Sequence, residues 1–237
     1  GFSSLFRENN SNVKRKKIKF MEPQRRKIID TNYYYFSNPN VWSDIYEHLP
    51  TFRRYAKECD TIIEMGTRSI VGTWGFLMGL SDPSRDIWQD HLFNHRWNEV
   101  DHMEMIQGKK MVCIDIDHPN IWGDNLLETA SEGAKQWGIN FEFRQQNTLE
   151  NEIEECDFLF LDTWHSYDQV KGELIRHADK AKKYIGFHDT QFYDFKDMSG
   201  TQGIWPAIEE FLYSNRNWYI YEKFANNHGV TILKRKY

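Results

Sequence analysis

The chain has 237 residues, of which 40% are hydrophobic, 27% charged and 16% aromatic, with a formal net charge of −5. This length holds one sizeable core and demands no second domain, and no apolar run approaches membrane-span length or resembles a signal peptide. Cys59, Cys113 and Cys156 are odd in number and lack metal-ligand spacing, which argues against a disulfide framework and points to a reducing, cytoplasmic compartment.

Residues 1–27 are expected to be a linker or basic arm. Between Lys14 and Lys27, eight basic side chains face one acid, Glu22, a local charge of +7 that leaves −12 for the remainder. Such an arm can meet anionic surfaces, but an acidic body without an arginine–aromatic platform argues against nucleic acid as a partner. The Gly-Phe start suggests a domain of a longer polypeptide. One α/β domain is expected over residues 28–237. Trp42, Ile45, Leu49 and Phe52 recur at helical spacing and predict helix around Trp42–Ala56.

Residues 61–73 read Thr-Ile-Ile-Glu-Met-Gly-Thr-Arg-Ser-Ile-Val-Gly-Thr. The pattern predicts a buried strand ending near Glu64, a tight turn at Gly66 and a helix from Thr73 to Leu80. This is the opening unit of a doubly wound sheet, whose ligands lie at the carboxyl ends of the strands. Glycine at the turn lets the backbone approach a nucleotide-like ligand. The G-x-G-x-x-G fingerprint is absent, which argues against a nicotinamide or flavin enzyme. Ser81–Gly108 is long and rich in His, Trp and Asp, and reads as a lid. Its His91 and His95 have the i, i+4 spacing of metal ligands, but no third ligand accompanies them, and an amphipathic lid helix is the preferred reading.

Lys109–Asp117 is an apolar strand ending in acids, and register decides whether Asp115 or Asp117 faces a pocket. A helix over 125–138 and a strand at Phe141–Phe143 follow. Next comes Gln146-Asn147-Thr148, whose amides can bond the edge of a base. Asp157–Asp162 is a continuous apolar run, as in a parallel sheet buried on both faces. A helix is predicted over Tyr167–Lys183, with Val170, Leu174, Ala178 and Ala181 on one face. A strand over Tyr184–Asp189, a second lid-like segment over 191–203 and a helix over 204–214 come next. Trp218–Lys223 and Val230–Lys234 form a hairpin around Asn226-Asn227-His228-Gly229, so the sheet finishes with an antiparallel strand.

The chemistry gathers at Asp162, His165, His188 and Asp189. Asp162 and Asp189 end neighbouring strands, so their carboxylates share one rim and repel unless a cation or proton intervenes. Oxygen ligands with open positions suit Mg²⁺ or Mn²⁺. Alternatively Asp162 caps the helix near Ser166 and Asp189 accepts from loop amides. His188 is a third ligand or a core imidazole. His165, neutral near pH 7, is suited to be a general base.

Glu64-x-Gly66, the acid after the second strand, Asp162-Thr-Trp-His165-Ser-Tyr167, His188-Asp189-Thr190 and the closing hairpin, in this order, resemble class I S-adenosylmethionine (SAM)-dependent methyltransferases. More narrowly, the chain is similar to sugar O-methyltransferases of the macrocin and rhamnosyl type, and to relatives grouped with cephalosporin hydroxylase. It is also similar to the methyltransferase domains of chlorovirus glycan-assembly polypeptides. The resemblance implies a Rossmann-like, mostly parallel twisted sheet with helices on both faces. It implies SAM bound by Glu64, Gly66, Thr67, Arg68, Asp115, Asp117, Asn147 and Asp162. It further implies a divalent metal on Asp162, Asp189 and His188, and catalysis by His165 and Asp162. The acceptor would be a sugar hydroxyl, such as that of a deoxyhexose like rhamnose in a glycan. One departure is Ile70, where many relatives carry a second turn glycine. A hydroxylase-like or catechol-type enzyme on the same scaffold, or a silent SAM-binding interaction module, are the alternatives.

Overall fold

The structure, a computed structural model, describes residues 16–17, 27–93, 104–105, 107–197 and 199–236. Its frame is a seven-stranded sheet. We number the strands β1 (Thr61–Met65), β2 (Lys110–Asp115), β3 (Asn140–Gln145), β4 (Cys156–Leu161), β5 (Ala181–His188), β6 (Trp218–Phe224) and β7 (Val230–Arg235). In space they run β3-β2-β1-β4-β5-β7-β6. Strands β1 to β5 pair in parallel, while β7 runs antiparallel to both β5 and β6. The antiparallel strand is therefore inserted one place inside the edge, and β6 closes the sheet parallel to the main set.

Alternation along the central strands builds two cores. On β1, Ile62 faces one side with Met111, Cys113, Phe158 and Phe160, while Ile63 and Met65 face the other with Val112, Ile114, Leu159 and Ile185. Helices α1 (Ile28–Phe36), α2 (Leu49–Ala56), α3 (Val71–Phe93) and α4 (Leu126–Gln136) cover the first face. Phe52 stacks on Phe76 at 4.7 Å and meets Phe160 edge-on at 4.8 Å. Helices α5 (Tyr167–His177) and α6 (Trp205–Ser214) cover the second face through Val170, Leu174 and Ile208. The expected fold class holds, with layers on both sides of a mostly parallel sheet.

Several boundaries differ from expectation. Helix α2 starts at Leu49 after a single 3₁₀ turn at Tyr46–His48, because Pro50 lacks the amide that a longer helix would need. Trp42 is left 70% exposed. Helix α3 runs on through Pro83 as far as Phe93, so 81–93 is helix, while 94–103 of the expected lid lie outside the described residues. Side-chain pairs offset the lost rung. Arg53 meets Asp82 through two bonds of 2.7 and 2.8 Å, and Arg85 meets Asp30 at 2.6 and 2.7 Å, tying α3 to α2 and α1. The side chain of His91, and His95 altogether, lie outside the described residues, as does most of the basic arm. Helix α5 stops at His177, since Ala181 already pairs with Cys156 in the sheet. No helix among the described residues is long and apolar enough to cross a membrane.

Candidate active site

Strand order reverses between β1 and β4, and a crevice opens at their carboxyl ends. Gly66 leaves β1 with φ +82°, and a Cβ there would lie 2.0 Å from the Asp162 carbonyl oxygen. Glycine is thus required by the close approach of two strand ends, before any ligand is considered. Arg68 and Ile70 continue the turn with φ of +47° and +57°. Ile70 holds this left-handed conformation, an arrangement disfavoured for a β-branched residue, and its side chain is fully buried.

The turn is held from β2. Asp115 Oδ2 accepts from the amides of Thr67 at 2.7 Å and Arg68 at 2.8 Å, and Oδ1 accepts from the Asp117 amide at 3.0 Å. A cleft of about 360 Å³ follows, lined among others by Gly66, Arg68, Asp115, Asn147, Asp162 and Trp164. That volume lies in the range of small-molecule sites. Asn147 lines it while its amide bonds the Leu149 amide and Glu150.

Glu64, Thr67 and Asp117 stay out of the cleft lining. Glu64 shares the strand face of Ile62, two residues earlier, so it points beneath α3 and accepts from Thr73 Oγ1 at 2.5 Å. It is 2% exposed. Burial, only partly opposed by the Thr73 hydrogen bond and reinforced by the Asp162 charge, pushes its carboxyl up to about 8. Glu64 is thus a buried acid beneath the turn, bonded to Thr73.

The second part of the site lies where β4 and β5 end side by side. Asp162 follows β4, and His188 and Asp189 end β5, with Asp189 at φ +58°. Asp162, His188 and Asp189 each offer one ligand atom, all within 4.8 Å of one another. His165 Nε2 lies 2.7 Å from Asp189 Oδ2, and the His165 ring stacks on Tyr193 at 4.5 Å. Burial opposes the charge on His165, but the hydrogen bonds of Asp162 and Asp189 outweigh it and hold the imidazole at about 9. His165 is therefore an imidazolium at neutral pH when no cation shares the carboxylates, not the neutral ring expected. Burial opposes charge on His188 too, and the same carboxylates raise it well above its ordinary value. Asp189 stays ionised despite burial because His165 and His188 donate to it. Ser166, not Asp162, caps α5, accepting from the Gln169 amide at 3.3 Å.

Three participants were not anticipated. His228, on the hairpin loop, places Nδ1 2.9 Å from Asp189 Oδ1 and stacks on Phe192 at 4.4 Å. His48, at the start of α2, bonds the Asn226 carbonyl at 2.9 Å and packs edge-on to His188. Glu173 lies under the cleft, where Oε1 accepts from Thr148, Thr163 and Gln169 at 2.6, 2.7 and 2.8 Å. Glu173 carried a signal in sequence: it is an acid inside the Val170–Leu174 apolar stripe. His228 carried none, since a His beside Gly229 reads as turn punctuation.

No protein-family model matches the chain, and no curated protein matches it in sequence. Solved structures do match in shape. A Corynebacterium glutamicum protein aligns with TM-score 0.55 at 11% identity, over 89% of this chain and 90% of its own. The O-methyltransferase from Bacillus cereus, in complex with SAH, aligns with TM-score 0.55 at 11% identity, over 92% of each chain. The O-methyltransferase TomG from Streptomyces achromogenes, involved in tomaymycin synthesis and in complex with SAM, gives 0.52 and 10%, again over 92% of each. The chain has the Rossmann-like fold of class I methyltransferases.

Proposed function

We propose that the protein is a SAM-dependent O-methyltransferase acting on a sugar hydroxyl, assisted by a divalent metal ion. One observation carries the reading: Asp162 lines the cleft and also faces the His188–Asp189 pair. The place where a methyl donor would end and the place where a hydroxyl could be activated therefore meet at one side chain. The Gly66 turn, Asp115 and Asn147 supply the walls for a nucleoside, with backbone amides, a carboxylate and a carboxamide as recognition groups. Bound SAM would supply an already activated methyl group, so the protein's task is alignment and proton removal. Asp162, Asp189 and His188 would hold the ion, which lowers the pKa of a coordinated sugar hydroxyl. An ion on the two carboxylates would release His165 from its pairing, and its Nε2, the nitrogen that faces them, would be placed to take the hydroxyl proton. Exposed rings lie at or beside the cleft, Trp164 in its lining, Trp122 over Arg68 and Phe192 on His228, and they suit the apolar faces of a sugar.

The acceptor class rests on the sequence resemblance, and a deoxyhexose in a glycan is its expected form, with further domains on a longer polypeptide. The test is labelled SAM against deoxyhexose acceptors, with chelator and with Mg²⁺ or Mn²⁺ restored. Transfer that needs the ion supports the reading. SAM binding without transfer to any acceptor favours a silent module, and full transfer in chelator removes the metal.

A further inference from the structure

His188 Nε2 donates to two backbone carbonyls, those of Asp44 at 2.9 Å and Asn227 at 3.2 Å. With the proton engaged on that side, the lone pair of the neutral ring belongs to Nδ1. Nδ1 lies 3.3 Å from Asp162 Oδ1 and 3.2 Å from Asp189 Oδ2. When no cation is bound, Nδ1 shares its proton with these two carboxylates, and a cation that displaces the proton would meet the nitrogen lone pair and both oxygens at once. Separations of this size are what two ligand bonds of about 2.1 Å span when they meet at one ion near a right angle. A carbonyl on the far nitrogen is also the usual device for orienting a metal-bound imidazole.

The ring has nowhere else to go. His188 is 2% exposed, His48 packs edge-on at 6.0 Å, and His228 lies parallel at 6.1 Å. His228 Nδ1 meanwhile holds Asp189 Oδ1 at 2.9 Å, leaving Oδ2 turned to the shared centre. The donor set is thus two carboxylates and one immobile imidazole, and water cannot readily take the imidazole's place.

We infer that this centre is a mixed nitrogen–oxygen site that selects a first-row transition ion, Mn²⁺ to Zn²⁺, over Mg²⁺, with His188 Nδ1 as the selecting ligand. The inference rests on the metal-assisted reading above. Mg²⁺ prefers an octahedron of oxygens and keeps several of its waters, whereas imidazole suits the later ions. An ion that refuses nitrogen would have to share the two carboxylates with the buried Nδ1 and its proton, at a cost in binding.

Two measurements on chelator-treated full-length protein test this. The first is pulsed EPR of the Mn²⁺ complex. Nitrogen coupling from a directly bound imidazole is expected in the native protein and in His165→Ala, and should vanish in His188→Asp. The second is calorimetric titration with Co²⁺ and with Mg²⁺. Any oxygen site favours Co²⁺ to some degree, so the readout is the ratio of the two affinities, which should fall by about tenfold or more in His188→Asp, equivalent to about 1.4 kcal/mol. Absence of nitrogen coupling in the native protein overturns the inference without recourse to any variant. So does an unchanged ratio, or a failure to bind either ion. Neither measurement uses SAM or an acceptor, so a nitrogen-coupled ion without methyl transfer would sink the methyltransferase reading and leave the metal assignment standing.

Discussion

Gly66 and Gly200 share one backbone twist, φ +82° and +81°, but not one environment. At Gly66 an added Cβ meets the Asp162 carbonyl oxygen at 2.0 Å, its carbon at 2.5 Å and the Thr163 amide at 2.9 Å, while at Gly200 it meets nothing within 4 Å. Alanine at either position incurs the left-handed penalty of about 1–2 kcal/mol. At Gly66 it must also push rigid backbone more than about 1 Å to reach ordinary contact, and overpacking of that kind adds about 1–3 kcal/mol. Gly66→Ala should therefore cost about 2–5 kcal/mol and Gly200→Ala about 1–2 kcal/mol. Urea unfolding of both variants measures the difference as a drop in midpoint at constant slope. Because the displaced atoms belong to the residue that joins the cleft to the acid–imidazole cluster, SAH affinity should fall in Gly66→Ala and stay native in Gly200→Ala. Equal stability losses in the two variants would refute the close-approach argument.

Asp115→Ala removes the acceptor of the Thr67 and Arg68 amides and should weaken SAM binding by about 1.5–3 kcal/mol, read by calorimetry; Asp117→Ala should leave it near native, and the reverse order would exchange their roles. His165→Ala should lower turnover by about 10²–10⁴-fold with the ion still bound, as for a lost general base; undiminished turnover would move proton removal to Asp162. Glu64 is protonated in the fold up to about pH 8 against an ordinary 4.5, so the native state holds more protons than the unfolded chain between those values. Its contribution is full below about 4.5 and is lost as pH rises through 8, at up to about 1.4 kcal/mol per pH unit. Glu64→Gln should flatten that decline in thermal or urea unfolding, and an unaltered pH profile would show the acid to be ionised.

What could be seen in the chain beforehand was what short stretches determine. Apolar runs ending in acids located β1, β2, β4 and β5, and their order placed Asp162 and Asp189 on adjacent strands. Long-range compensation was invisible. Pro83 looks like a breaker, but Arg53 and Arg85, drawing on Asp82 and Asp30, keep α3 intact beyond it. Ala178 and Ala181 suit a helix face and a buried strand equally well, so the apolar pattern alone does not mark the end of α5 at His177. Asp115 was legible as a strand-end acid, but its use by the amides of Thr67 and Arg68 depends on how two strand ends meet. The same holds for His228, which reaches Asp189 only because β7 is inserted beside β5.

That insertion couples the acid–imidazole cluster to the edge of the sheet. Asp189 is surrounded by His165, His188 and His228, which come from the segment after β4, the end of β5 and the hairpin loop. β7 pairs with both β5 and β6, so the edge strand β6 joins the sheet only through β7. A nascent chain or a truncation that ends before residue 228 would therefore leave the Asp189 carboxylate short of one donor and β5 with an open edge. Exposed edges of this kind recruit other chains. Completion of the acid–imidazole cluster and protection of the β5 edge thus depend on the same contact, the docking of a single antiparallel strand.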